Sequence, residues 1–194
     1  MSENPSVRDQ IESARAVIDS LTTQESQIAQ IADLCVTALR GGKKLLTCGN
    51  GGSATDAMHL AEELVGRYRG SRKSLPALAL AADASVLTCI ANDFGYEEVF
   101  ARQVAAHGRP GDVLVAFSTS GKSENILRAL RAARASGVTT VGFLGKGGGA
   151  AKDLCDHAVV IASDASERIQ EAHTVLLHIL CEAAEKAFEG TSDK

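Results

Sequence analysis

Lys44-Leu45-Leu46-Thr47-Cys48-Gly49-Asn50-Gly51-Gly52-Ser53 is a short apolar run that ends in a glycine-rich turn, and an amphipathic stretch follows it to about Arg67. A run that short, closed by glycines, reads as a buried strand, and the longer stretch reads as a helix. The same alternation continues outward. Strands are expected at Lys44–Cys48, Ala77–Ala81, Val113–Phe117, Thr139–Leu144 and Ala158–Ile161. Helices are expected at about Ser53–Arg67, Ser85–Asn92, Tyr96–Ala106, Ser123–Ser136 and Glu167–Glu189. Alternating strands and helices with short connections predict an α/β fold, a three-layer αβα sandwich around a five-stranded parallel sheet. Ligands of such sheets bind beyond the carboxyl ends of the strands.

Two further helices are expected ahead of the first strand. Ser6–Leu21 and Gln24–Leu39 carry apolar residues at helical spacing, and Gly41-Gly42 stops the second. The chain thus reads as one domain over residues 1–194, an N-terminal helical hairpin (1–41) ahead of an αβα core (42–190). Such a pair can pack on a neighbouring subunit or cover its own core.

Bulk composition narrows the function. The 194 residues are 45% apolar and 23% charged, as in an ordinary soluble protein. A formal net charge of −4 argues against a general nucleic-acid binder and leaves room for a local anion site. Met1-Ser2-Glu3-Asn4-Pro5 has no basic, then apolar, pattern of a signal peptide. No apolar stretch approaches the roughly 20 residues that span a bilayer. Cys35, Cys48, Cys89, Cys155 and Cys181 are odd in number, widely spaced and without a C-x-x-C pair. They read as reduced, buried thiols of a cytoplasmic protein.

Two loops invite an anion. In Gly49-Asn50-Gly51-Gly52-Ser53 the glycines permit positive φ and close backbone approach, and the helix-start amides favour negative charge. The stretch is neither a P-loop nor a G-x-G-x-x-G, and a plain strand-to-helix turn is the competing reading. Ser118-Thr119-Ser120-Gly121-Lys122-Ser123 places four hydroxyls in six residues. Hydroxyls and amides together can hold a phosphate by neutral hydrogen bonds, whereas a helix cap needs one hydroxyl, which Ser123 alone supplies. Lys122 reads as a solvated loop lysine.

The titratable residues fall on two helices. His59 and Glu63 are four apart and share a face, so they can ligate a metal, act as acid and base, or form an ordinary surface pair. Glu62 reads as their exposed neighbour. Gln170 and His178 follow one helical stripe and can face a common site, with His173 competing for the role. A histidine amid Val175, Leu176, Leu177, Ile179 and Leu180 is equally a hydrogen-bonded core residue.

Gly49-Asn50-Gly51-Gly52-Ser53, Asp56-Ala57-Met58-His59-Leu60-Ala61-Glu62-Glu63-Leu64, Asn92-Asp93-Phe94-Gly95, Ser118-Thr119-Ser120-Gly121 and Arg168-Ile169-Gln170-Glu171 occur in that order. From about residue 10 to residue 188 the chain resembles the sedoheptulose-7-phosphate isomerase (phosphoheptose isomerase) family, a branch of the sugar isomerase, or SIS, fold. The S-T-S-G loop is common to SIS domains and indicates only a phosphosugar; H-x-x-x-E with the late R-I-Q-E…H is more specific.

The resemblance implies conversion of sedoheptulose 7-phosphate to D-glycero-D-manno-heptose 7-phosphate through an enediol(ate). That is the first step of ADP- or GDP-heptose biosynthesis, toward lipopolysaccharide or other surface glycans. Glu63 and His178 match the family's acid/base pair, with Glu63 read as the base and His178 as the acid. His59, Glu63, Gln170 and His178 match a site for one zinc per subunit. Asn50, Gly51, Gly52, Asn92 and Asp93 would hold sugar hydroxyls, with Glu63 and Gln170 also on substrate. Ser53, Ser118, Thr119, Ser120 and Ser123 would hold the phosphate. Asn92–Gly95 is also ordinary turn composition. Arg67 fits a phosphate or, more simply, an exposed salt bridge. A cytoplasmic homotetramer with sites where subunits meet is implied as well.

The alternative is a non-catalytic SIS protein that senses phosphosugars or tethers a replication initiator. Such a protein would keep the phosphate loop and lose the acid/base set, which is complete here. The departures are mild. Ala54 and Thr55 stand at variable positions, and Ala79–Thr88 carries one extra residue relative to some members, which leaves the loop before Asn92 open in shape.

Overall fold

The computed structural model describes residues 5–192, so the leader-free reading of Met1–Asn4 and the extreme carboxyl end lie outside the described residues. Five strands, β1 (Leu45–Cys48), β2 (Ala77–Ala79), β3 (Val113–Ser118), β4 (Thr139–Leu144) and β5 (His157–Val160), form one sheet. All pairings are parallel, in the order β2-β1-β3-β4-β5. Successive residues along a strand point to opposite faces, and both faces are apolar here. Leu45, Val113, Val115, Phe117, Val141 and Phe143 enter one core. Leu46, Cys48, Leu114, Ala116 and Leu144 enter the other.

Helices cover both faces. On the first lie α2 (Glu25–Arg40), α3 (Gly52–Val65) and α7 (Ser166–Phe188). On the second lie α4 (Ala84–Phe94), α5 (Ala101–His107) and α6 (Glu124–Ala135). The N-terminal pair divides its roles. Within α2, Ile28, Ile31, Cys35 and Leu39 are buried in the first core. By contrast α1 (Val7–Ser20), opened by a Ser6–Asp9 capping box, buries no residue and leaves Val7 and Ile11 exposed.

The strand order positions the site. From β1 the chain goes to β2 on one side, then crosses to β3 on the other. The loops after β1 and β3 therefore emerge side by side at the carboxyl edge, the switch point where such sheets bind ligands.

Three local expectations are corrected. The helix read at Tyr96–Ala106 is a 3-10 turn (Tyr96–Glu98) followed by α5, and the break tucks Val99 and Phe100 into the core. Lys146–Leu154, unassigned in the sequence, forms 3-10 turns broken by positive φ at Gly147, Gly148 and Gly149. All five thiols are free, but only Cys35, Cys48 and Cys181 are buried; Cys155 is half-buried and Cys89 is exposed on α4. Burial pushes the Cys35 and Cys181 thiols up to about 12, so they are inert packing groups. Among the described residues no helix is long and apolar enough to cross a membrane.

Candidate active site

The loop after β3 curls into a cup at the start of α6. Ser118 Oγ accepts a hydrogen bond from the Gly121 amide (3.0 Å), and Ser120 Oγ accepts one from the Lys122 amide (3.2 Å). Ser123 stands at the N-cap of α6, yet its hydroxyl makes no capping bond. Asn50, Ser53, Phe117, Ser118, Thr119, Ser120 and Ser123 line one small polar cavity. The hydroxyls of Ser53, Thr119 and Ser123 have no protein partner among the described residues, so they are available to a ligand. The cup's shape depends on Gly121, whose φ is +60° and whose backbone lies against Gly148. A Cβ there would overlap the Gly148 carbonyl oxygen. The triple-glycine segment is thus the seat of the cup, a role that composition alone did not reveal.

The first loop joins the cup through amides. Asn50 and Asn125 exchange two hydrogen bonds, Nδ2 to Oδ1 in each direction (2.9 and 2.8 Å). Tyr96 Oη donates to Asn50 Oδ1 (3.0 Å). With its oxygen twice occupied and one N–H given away, Asn50 has one N–H left for a ligand. Gly52 lies beneath Gln170: a Cβ on it would stand 2.5 Å from the Gln170 amide nitrogen.

α3 and α7 lie side by side and carry the titratable groups. His59 Nε2 is 3.3 Å from Glu63 Oε1. The His59 and His178 rings meet edge to face at 5.1 Å, and Tyr68 rests on the other flank of His178 at 5.7 Å. The ligand atoms of His59, Glu62 and Glu63 lie within 4.8 Å of one another. One turn nearer the cup, the Thr174 hydroxyl donates to Asp56 Oδ1 at 3.3 Å and bonds the Gln170 carbonyl at 3.1 Å. Asp56 is buried, and its second carboxyl oxygen has no partner among the described residues.

Burial pushes the His178 imidazole below its ordinary value; His59 pushes the same way, Glu63 opposes and Arg69 adds to the fall. Burial lifts the Asp56 carboxyl to about 6 against the pull of Thr174 and His59. An imidazole kept neutral beside a carboxylate can accept a proton or give one up after taking it, which is what acid–base chemistry at neutral pH requires.

The structure gathers His59, Glu63 and His178 at one end of the seam and Gln170 against Gly52 at the other. Asn92 and Asp93 end α4, exposed, and bond each other at 2.7 Å; the chain reaches the first loop through Tyr96 beyond them. Arg67 is exposed and takes part in no ion pair among the described residues, so the expected surface salt bridge is absent. His173 is fully buried against Phe117 and Phe143, and burial pushes it down to about 4. It is a core residue, while His178 is the histidine that meets His59 on the α3–α7 seam. Asn125, Asp56 and Tyr68 went unread. Asn125, following the hydroxyl run at a helix start, carried the one available signal.

The SIS domain family matches residues 10–145. A phosphoheptose isomerase from a Nitratiruptor species is 54% identical over 155 residues, 80% of this chain and 83% of that one. The Akkermansia muciniphila phosphoheptose isomerase is 46% identical over 184 residues, 95% of this chain and 97% of that one. The solved structure of phosphoheptose isomerase from Neisseria gonorrhoeae is similar with a TM-score of 0.85 at 36% identity, covering 93% of this chain and all of that one.

Proposed function

The chain belongs to the SIS domain family, among its phosphoheptose isomerases, and on that premise we propose that it interconverts sedoheptulose 7-phosphate and D-glycero-D-manno-heptose 7-phosphate, with the phosphate in the cup and the proton-transfer groups on the α3–α7 seam. One observation carries the reading. A neutral hydroxyl cup opens onto the same helix, α3, whose far end holds Glu63 beside His59 and His178. From Ser53 to Glu63 the helix rises about 15 Å, so a ligand engaged at both ends is a long, extended one.

The cup takes the phosphate through the Ser53, Thr119 and Ser123 hydroxyls and the amides that open α6. Asn50 donates its remaining N–H to a sugar oxygen. Glu63 takes the proton from C1 of the ketose and returns it to C2. His178 gives a proton to the C2 oxygen and receives one from the C1 oxygen, so the enediol closes to the aldose with no net proton change. Arg69, which depresses His178, adds positive potential where the enediolate charge develops.

We assign His59, Glu63, Gln170 and His178 as the donor set for a divalent metal, with zinc the fitting ion for two imidazoles, a carboxylate and an amide oxygen. The proximity of His59, Glu63 and the His178 ring supports three of these donors, Glu62 is a further carboxylate at hand, and Gln170, against Gly52 at the other end of the seam, is the member of the set that this proximity does not support. When bound, such an ion supplies Lewis-acid polarisation of the sugar oxygens.

We propose further a cytoplasmic homotetramer with its sites near subunit boundaries. An apolar groove between α1, α2 and α7, lined by Ile18, Leu21, Ile28, Val175 and Ile179, supports assembly, as do the exposed Val7 and Ile11. Light scattering on the purified protein tests it, and a monomer at micromolar concentration refutes it.

The function is tested by NMR of the purified protein with sedoheptulose 7-phosphate, alongside Glu63→Gln and His178→Gln, with and without a chelator. Turnover in the wild type and its loss in both variants is expected. A wild type inactive even with added zinc defeats the heptose assignment, and chelator sensitivity decides the metal.

A further inference from the structure

We infer that Arg72 and Glu185, which belong neither to the cup nor to the proposed proton-transfer pair, are positioning residues that hold Glu63 and His178 in working register; this rests on the isomerase reading above. The Arg72 side chain, in the loop between α3 and β2, is only 2% exposed. A buried guanidinium is costly unless its N–H groups are met, and here four bonds meet it. Its NH2 nitrogen donates to the Glu63 carbonyl (2.6 Å). Its NH1 nitrogen donates to the Leu64 and Lys73 carbonyls (2.9 Å each), and Nε to Glu185 Oε2 (3.2 Å). The last carbonyls of a helix lack intrahelical partners and favour a cation. Arg72 therefore caps the end of α3 on the backbone of the proposed base itself.

Glu185 carries the connection to the other proton-transfer group. It lies two turns beyond His178 on α7. Its second oxygen accepts from the Arg69 amide at 3.1 Å and from the Gly70 amide. That pins the loop whose Tyr68 ring lies against His178. One ion pair thereby fixes the Glu63 backbone on one side and the packing of the His178 ring on the other.

The test compares Arg72→Lys and Glu185→Gln with wild type by steady-state kinetics on sedoheptulose 7-phosphate. Circular dichroism establishes folding, and two-dimensional NMR of the imidazole C–H groups reports on His178. Arg72→Lys keeps the charge and loses the fork; Glu185→Gln keeps the shape and loses the charge. Each is expected to lower kcat about 10- to 100-fold, the penalty of a small misplacement, with KM within about twofold because the cup is untouched. The His178 resonance should move in both, and the double variant should be little worse than the worse single. Folded variants with kcat within about twofold of wild type and an unmoved His178 resonance overturn the inference. Should Arg72→Lys fail to fold, Glu185→Gln decides by the same two results. A wild type without turnover in this assay defeats the isomerase reading instead.

Discussion

At Ser118–Ser123 the protein presents hydroxyls and amides and leaves Lys122 exposed, whereas along the α3–α7 seam it sets two imidazoles beside the carboxylates of Asp56, Glu62 and Glu63. The first lies at the carboxyl edge of the sheet, and the second follows α3 back from that edge toward the entry to β2. The first offers uncharged groups; the second holds the His178 imidazole, which burial depresses, and the Asp56 carboxyl, which burial raises. On the proposed function, affinity rests on the uncharged cup and rate on the seam. The seam also holds the costly features, a buried carboxyl with an oxygen unpartnered among the described residues and a depressed histidine.

The largest effect should come from the seam. Glu63→Gln removes the base and is expected to lower kcat by roughly 10²- to 10⁴-fold with phosphosugar affinity retained by equilibrium titration; a lost affinity with kcat preserved would reverse the two roles. His173 tests whether every titratable group on α7 belongs to the seam. The folded protein holds it neutral down to about pH 4, while the unfolded chain protonates it near its ordinary 6.5. Its contribution is thus complete above 6.5 and disappears as pH falls toward 4, up to about 3 kcal/mol at 1.36 kcal/mol per pKa unit. Denaturant unfolding at several pH values should show that slope in wild type and a flatter one in His173→Leu, with the pH dependence of kcat unmoved.

Smaller effects should come from the cup. Thr119→Ala and Ser123→Ala each remove one neutral donor to a charged phosphate, about 1.5–3 kcal/mol. KM should rise roughly tenfold or more for each with kcat preserved, and a fall in kcat at constant KM would erase the division of labour. Smallest of all, Tyr96→Phe frees the Asn50 oxygen and should raise KM only a few-fold, about 0.5–1 kcal/mol, as read from initial rates.

Much of this was legible in the sequence because it was local. Glycines after Cys48 and hydroxyls after Phe117 marked both loops, and short apolar runs marked the strands. The i,i+4 spacing of His59 and Glu63 placed them on one face, as the 3.3 Å approach bears out. What periodicity could not give is which distant segments meet. Arg72 reaches Glu185 across 113 residues, and Asn50 reaches Asn125 across 75. A buried arginine and a surface one look alike in a loop of mixed polarity. His173 and His178 were indistinguishable by neighbours alone; a rotation of five residues along α7 puts one under Phe117 and the other against His59. Gly147–Gly149 carried no ligand signal because its partner is another stretch of backbone.

α7 is the last of these elements to leave the ribosome. Both ligand loops and all five strands precede it, so a nascent chain acquires the parts of its phosphate cup before it has Gln170 or His178. Until Ile169, Leu176, Leu177 and Leu180 arrive, the face of the sheet bearing Val115, Phe117 and Phe143 lacks its principal cover. A message cut short near residue 165 would therefore encode no weakened enzyme. It would encode an uncovered sheet, a client for chaperones and proteases, and messages truncated late in the frame should leave little protein to detect.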